Sequence, residues 1–213
     1  MPTNRTTPPF IVIEGIDGAG TTTQSTLLHD YFQAQGQPAL LTNEPSTGAI
    51  GTLIRKMIAM RRDEDARPVD RETLALLFAA DRLDHLKAEV EPALAAGQVV
   101  ISDRYYHSSF AYQGDSVAGS DALDLRWIRT LNERARTPDL TVFLHAPVDL
   151  CLERLGERDA HDVFETREHL TLMEQRYDQI MALLQAEGEH IIRLDASLPR
   201  QTLAEMIREK VAR

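Results

Sequence analysis

The residues best suited to chemistry begin at Glu14. The stretch EGIDGAGTTTQ, Glu14 to Gln24, follows the apolar run FIVI. Its residues Gly15, Ile16, Asp17, Gly18, Ala19, Gly20, Thr21 and Thr22 have the layout of a phosphate-binding loop. With 11 Gly in the chain, the Gly15–Gly20 pair alone carries little. Its context carries more: a strand pattern before it, a helical pattern after it, and a hydroxyl at Thr22. Such a loop curls so that backbone N–H groups point inward, and the following helix adds its partial positive charge. Thr22 can ligate Mg²⁺ that nucleotide phosphates also hold. Position 21, where such loops carry lysine, is threonine. One fixed cation near the phosphates is therefore missing. A hydrogen bond to a charged group is worth about 1.5–3 kcal/mol. Its loss in a transition state slows a reaction roughly 10- to 100-fold.

Other cations could do that work. Arg104 follows Asp103 at the end of QVVISD. Arg154 and Arg158 stand four apart beside the charge-dense segment GERDAHDVFE, 156–165. The planar guanidinium donates to phosphate in pairs. By spacing alone, pairing of Arg154 and Arg158 with Glu153 and Glu157 is the plainer reading. Asp103 can hold Mg²⁺ through water, or cap a helix. The 156–165 segment reads as a solvated loop or as a lid over a ligand, about 156–163.

These residues need a frame. Five apolar runs stand out: FIVIEG (10–15), PALLT (38–42), QVVISD (98–103), LTVFLH (140–145) and HIIRLD (190–195). They are rich in Val, Ile and Leu with little alternation, as parallel strands covered on both faces are. Helical patterns lie at 21–35, 48–62, 70–95, 121–135, 148–155, 165–186 and 198–212. Such alternation predicts an α/β fold, an open parallel sheet with right-handed crossovers. Ligands bind beyond the carboxyl ends of such strands, and Glu14, Glu44, Asp103 and Arg104 collect there.

Length and composition fit one domain, 10–213, after a flexible tail at 1–9. The net charge of −10 argues against a general nucleic-acid surface but not against a small anionic ligand. No apolar run reaches membrane-spanning length and no apolar leader precedes residue 10, so a cytoplasmic setting is the expectation. The single cysteine, Cys151, reads as a buried structural thiol.

The runs FIVIEGIDGAGTTTQ, NEP (43–45), LLFAADR (76–82), ISDRYYHSSFAYQG (101–114), RTPDLTVFLHAPVDLCLERL (136–155) and DVFE (162–165) are similar to those of the thymidylate (dTMP) kinases. The resemblance spans Phe10 to about Tyr177. It implies a three-layer α/β/α fold of P-loop NTPase type, with a five-stranded parallel sheet and a short lid. It implies transfer of the γ-phosphoryl group of ATP to dTMP, with Mg²⁺ bound at Thr22 and Asp103, by a homodimer.

The resemblance also implies roles for single residues. Asp17 looks like the acceptor from the deoxyribose 3′-OH, Phe78 like the ring that stacks on thymine, and Arg82 like the partner of a thymine carbonyl. Ser109 lies at the base edge, and Tyr112 crowds the sugar 2′ position. Arg104 clamps the acceptor phosphate, while Arg154 and Arg158 reach ATP. On pattern alone Phe78 is equally a core residue and Arg82 a solvated one. Thr21, Gly156 and Asn43 depart from the family, and each removes positive charge. Thr21 keeps a rival reading open: a non-catalytic nucleotide-binding homologue that acts as a regulator. A kinase of shifted acceptor preference is a third.

Overall fold

The computed structural model describes residues 8–60, 69–115, 123–156 and 166–212. The elements, in chain order, are β1 (Phe10–Gly15), α1 (Thr21–Ala34), β2 (Ala39–Asn43), α2 (Ala49–Met60), α3 (Arg71–His85), a π-helical turn (Leu86–Val90), α4 (Glu91–Ala95) and β3 (Val99–Asp103). Then follow α5 (Tyr106–Gln113), β4 (Gly114–Asp115), β5 (Leu123–Asp124), α6 (Leu125–Asn132), β6 (Leu140–His145), α7 (Val148–Gly156), α8 (Arg167–Ala186), β7 (Ile191–Asp195) and α9 (Arg200–Val211). Except for Gly156, which closes α7, the expected lid at 156–163 lies outside the described residues. So do Arg158, DVFE and residues 1–7 of the expected tail.

The five apolar runs form one parallel sheet in the order β2-β3-β1-β6-β7. Phe10 to Ile13 are fully buried, as are Val99 to Ile101, because helices cover both faces of the central strands. On one side α1 packs on β1, β2 and β3 and against α9; on the other, α5 packs on β1 and against α8. In register, Ile13 lies beside Asp103 on β3 and Val142 on β6, so the loop after Gly15 and the segment after Asp103 leave the sheet together.

Helix ends follow local chemistry. Asp70 caps α3 by accepting from Thr73 N at 2.7 Å, and Thr166 caps α8 by accepting from His169 N at 3.2 Å. The helix expected over 70–95 is three segments, because the π turn at Leu86–Val90 widens it. The helix expected over 121–135 begins only at Leu125, after a two-residue strand, with Asp124 as its cap. Helix α5 has no counterpart among the expected helices. Six of its eight residues are buried, so it lacks the polar stripe that marks a surface helix.

Candidate active site

The loop Gly15–Thr22 joins β1 to α1 with its glycines bent as the sequence requires. Gly18 has φ 84°, and a Cβ there would lie 2.6 Å from the Cys151 carbonyl oxygen. No side chain fits that approach to α7. Gly20, in the left-handed region at φ 96°, caps α1 without a side-chain bond, which leaves the first amides of that helix aimed into the loop. Cys151 is fully buried; burial, only partly countered by Arg154, pushes its thiol up to about 12, as an inert structural thiol requires.

Thr21 is buried at the start of α1 and Thr22 is exposed. Thr22 Oγ1 donates to Asp103 Oδ2 at 2.5 Å, while Asp103 Oδ1 is buried without a partner. Two hard oxygen ligands with spare acceptor capacity fit Mg²⁺, which keeps waters and phosphate oxygens as its other ligands. Among the described residues no group of three His, Cys, Asp or Glu forms an all-protein metal cage.

Arg104 is the centre of the arrangement. It follows β3 with φ 71°, in the left-handed region, which costs a non-glycine residue about 1–2 kcal/mol. The turn aims its guanidinium back at the loop. Nη1 donates to Gly15 O (2.8 Å), Tyr177 Oη (3.1 Å) and Ser108 Oγ (3.3 Å), and Nη2 donates to Asp17 Oδ1 at 2.5 Å. Tyr112 Oη donates to Asp17 Oδ2 at 3.0 Å. Burial works against the charge on Arg104, but Tyr112, Asp17, Tyr177 and Glu14 outweigh it and hold the group firmly protonated.

Arg154 lies on the loop and is not paired with Glu153. Its Nη1 donates to Gly18 O and Ala19 O, each at 3.4 Å, and Nη2 to Ala196 O at 2.9 Å. It braces the outer, carbonyl side of the loop, and it does not line the cavity described next.

That cavity, about 430 Å³, opens beside the loop. Asp17, Phe78, Arg82, Arg104, Ser109 and Tyr112, all six residues singled out for a substrate, line it together. Arg71, Leu74, Phe78 and Arg82 recur every three or four residues and put one face of α3 along its wall. Phe78 is half-buried there, not a core residue.

Arg82 is not a solvated helix residue: it is 1% exposed. Nε donates to Glu44 Oε2 at 2.8 Å, Nη2 to Ser109 Oγ at 3.0 Å, and Nη1 to Asn132 Oδ1. His85 lies 3.4 Å from the other Glu44 oxygen and 2.7 Å from Thr42 Oγ1. Truncating one partner of such a buried pair is costly, because it strands the other charge. The network engages three of the five guanidinium N–H groups, and Arg82 also lines the cavity.

Several lining residues were not anticipated. Gln113 comes from α5, which had no expected counterpart, His169 from the first turn of α8, and Arg71 opens α3 at the far end of the Phe78 face. Ser108 and Tyr177, which surround Arg104, were also missed, and Glu14 was placed at a strand end of the site but given no role. Glu14 gave one signal: an acid at the end of an otherwise apolar buried run.

A family model described as thymidylate kinase matches residues 13–207. A "Probable thymidylate kinase" of Thermococcus gammatolerans is 45% identical over 159 residues, covering 73% of this chain and 74% of that protein. Another of that description, from Thermococcus onnurineus, is 38% identical over 195 residues, covering 85% of this chain and 93% of that one. A "Thymidylate kinase" of Exiguobacterium sibiricum is 36% identical over 200 residues, covering 92% and 91%. The matched span holds the loop, the cavity wall and the Arg104 cluster alike, and the chain belongs to the thymidylate kinase family, nucleoside monophosphate kinases on a P-loop NTPase fold.

Proposed function

We propose that residues 10–213 form one kinase domain that transfers the γ-phosphoryl group of ATP to dTMP, giving dTDP and ADP. The observation that carries this reading is the convergence of Asp17, Phe78, Arg82, Arg104, Ser109 and Tyr112 on one cavity beside a phosphate loop. Phe78 offers a stacking face for the base. Arg82, fixed by Glu44, Asn132 and Ser109, presents its remaining donors to a base carbonyl. Asp17, shared by Arg104 and Tyr112, accepts from the sugar 3′-OH. Tyr112 fills the space beside the 2′ carbon.

The acceptor phosphate is already an anion and needs no strong base. Catalysis is then positioning and charge neutralisation. Arg104 turns the acceptor phosphate toward the loop. The loop amides hold the donor phosphates, and Arg154 keeps the loop in shape and adds charge at the ATP end. Thr22 and Asp103 would hold Mg²⁺, which would supply positive charge against the donor phosphates. With Thr21 in place of lysine, the guanidinium groups and that ion supply the positive charge near the transferred group. The role of 156–163 as a lid, and of Arg158 within it, rests on the sequence alone.

Leu53, Met60 and Leu76 are 41%, 54% and 51% exposed on the contacting helices α2 and α3. That exposed apolar surface supports a homodimer built on these helices. A cytoplasmic location accords with the use of ATP; among the described residues no helix is long and apolar enough to cross a membrane.

The test is chromatographic measurement of products from ATP, Mg²⁺ and, in turn, dTMP, dUMP and thymidine. The expected result is dTDP from dTMP at the highest kcat/KM. Binding of dTMP without any product would support a non-catalytic homologue instead. Thymidine as the best acceptor would point to a nucleoside kinase.

A further inference from the structure

His107 has no part in the mechanism above, yet it is fully buried beside its centre. Its Nδ1 lies 3.6 Å from Glu14 Oε1, and its Nε2 lies 3.1 Å from Glu189 Oε2 and 3.4 Å from Thr141 Oγ1. The imidazole therefore sits between two carboxylates. Glu14, also fully buried, is the residue before the loop. It accepts from Tyr105 N at 2.7 Å, Ser108 Oγ at 2.8 Å, Tyr177 Oη at 3.0 Å and Ser108 N at 3.3 Å. Ser108 and Tyr177 are the same two hydroxyls that Arg104 touches.

We infer that His107 is a positioning residue for the acceptor end of the site: it keeps the Glu14 carboxylate in place, which orders Ser108 and Tyr177 and through them Arg104. The inference rests on the proposed role of Arg104 as acceptor clamp. Electrostatics support it. Burial disfavours charge on both partners. Against that, Glu14 and Glu189 hold the imidazole above its ordinary 6.5, while His107 and then Arg104 hold the Glu14 carboxyl below its ordinary 4.5. The other groups facing the cluster are Tyr106, stacked on His107 at 4.3 Å, and Thr141 from β6. Tyr177 comes from α8, Arg104 from the end of β3, and the charge of Arg129 on α6 reaches Glu189. A neutral residue at position 107 would leave Glu14 buried with Arg104 as its remaining cation. The carboxyl would then take up a proton at a higher pH than in the wild type, and a neutral acid orders the two hydroxyls differently.

The test measures dissociation constants of dTMP and of ATP, by calorimetry, for the wild type, His107→Gln and Glu14→Gln/His107→Gln. Binding is read directly, so the result does not depend on turnover. Because the phosphate of dTMP itself titrates, each variant is compared with the wild type at the same pH. His107→Gln is expected to weaken dTMP roughly tenfold at the acid end of the range in which both proteins stay folded and to approach the wild type as pH rises, with ATP unchanged. In the double variant the deficit should persist but lose its pH dependence. A pH-independent ratio for His107→Gln, or equal weakening of dTMP and ATP, would overturn the inference. Nitrogen NMR of histidine-labelled wild-type protein gives a second reading that needs no variant. An imidazolium at His107 that titrates above the ordinary 6.5 is expected, and a ring that loses its proton at or below 6.5 would also overturn it.

Discussion

Arg104→Gly separates the chemical role of this residue from its structural one. At φ 71° glycine carries no steric penalty, so the substitution relieves about 1–2 kcal/mol of backbone strain. It also removes the ion pair with Asp17. That pair is partly open to solvent, with side chains 19% and 39% exposed, so screening keeps its worth to about 1 kcal/mol. The loss of the bonds to Gly15 O, Ser108 and Tyr177 adds a further cost, and net stability should change by no more than about 3 kcal/mol, or roughly 6–12 °C in Tm. Activity should respond far more. Two charge-assisted bonds to the acceptor phosphate, each about 1.5–3 kcal/mol, amount to roughly 10²- to 10⁴-fold in kcat/KM for dTMP. Arg104→Lys keeps the charge without the fork and should fall between. Steady-state kinetics with dTMP varied at saturating ATP, beside thermal unfolding, supply both numbers. Lys210→Ala, on the exposed side of α9, is the control. A loss in kcat/KM of less than about tenfold, or a Tm drop well beyond that range, would refute the assignment of Arg104 as acceptor clamp.

Thr21→Lys should raise kcat by up to roughly 10- to 100-fold or leave it unchanged, measured in the same assay; a marked fall would show a loop re-tuned around threonine. Phe78→Ala should raise KM for dTMP by roughly 5- to 100-fold, as base stacking on a ring is worth about 1–3 kcal/mol, with KM for ATP unchanged. Equal effects on both substrates would place Phe78 outside the base site. Thermal unfolding against pH should show loss on both sides. Glu14 and Glu189, held below their ordinary 4.5, contribute stability present above 4.5 and lost as pH falls through their folded pKa values. His107, held above its ordinary 6.5, contributes stability present below 6.5 and lost as pH rises through its folded pKa. His107→Gln should remove the alkaline part of that decline, and an unchanged alkaline limb would contradict the buried imidazolium.

The sheet was legible because its strands are covered on both faces, so FIVI, VVIS and TVFL read as unbroken apolar runs whatever their neighbours. The loop was legible because glycines and a hydroxyl serve one local geometry. Helix α5 was not, since burial on all sides erases the helical stripe in YHSSFAYQ. Arg82 illustrates a different limit. Its burial depends on Glu44, 38 positions away in sequence, and on Asn132 and Ser109, so no local pattern could reveal it. Glu14 and His107 share that limit, for they meet only when α5 packs on β1. Arg154 shows the reverse: local spacing pointed to Glu153, and the fold gave it loop carbonyls.

Guanidinium groups and a divalent ion at Thr22 and Asp103 are proposed to carry phosphoryl transfer without a loop lysine. A single-turnover experiment, with enzyme in excess of radiolabelled ATP and with dTMP present, tests it most directly. Label should appear in dTDP with matching ADP when Mg²⁺ is supplied, and chelation should abolish it. Tight binding of both nucleotides with Mg²⁺ present and no labelled dTDP would contradict it.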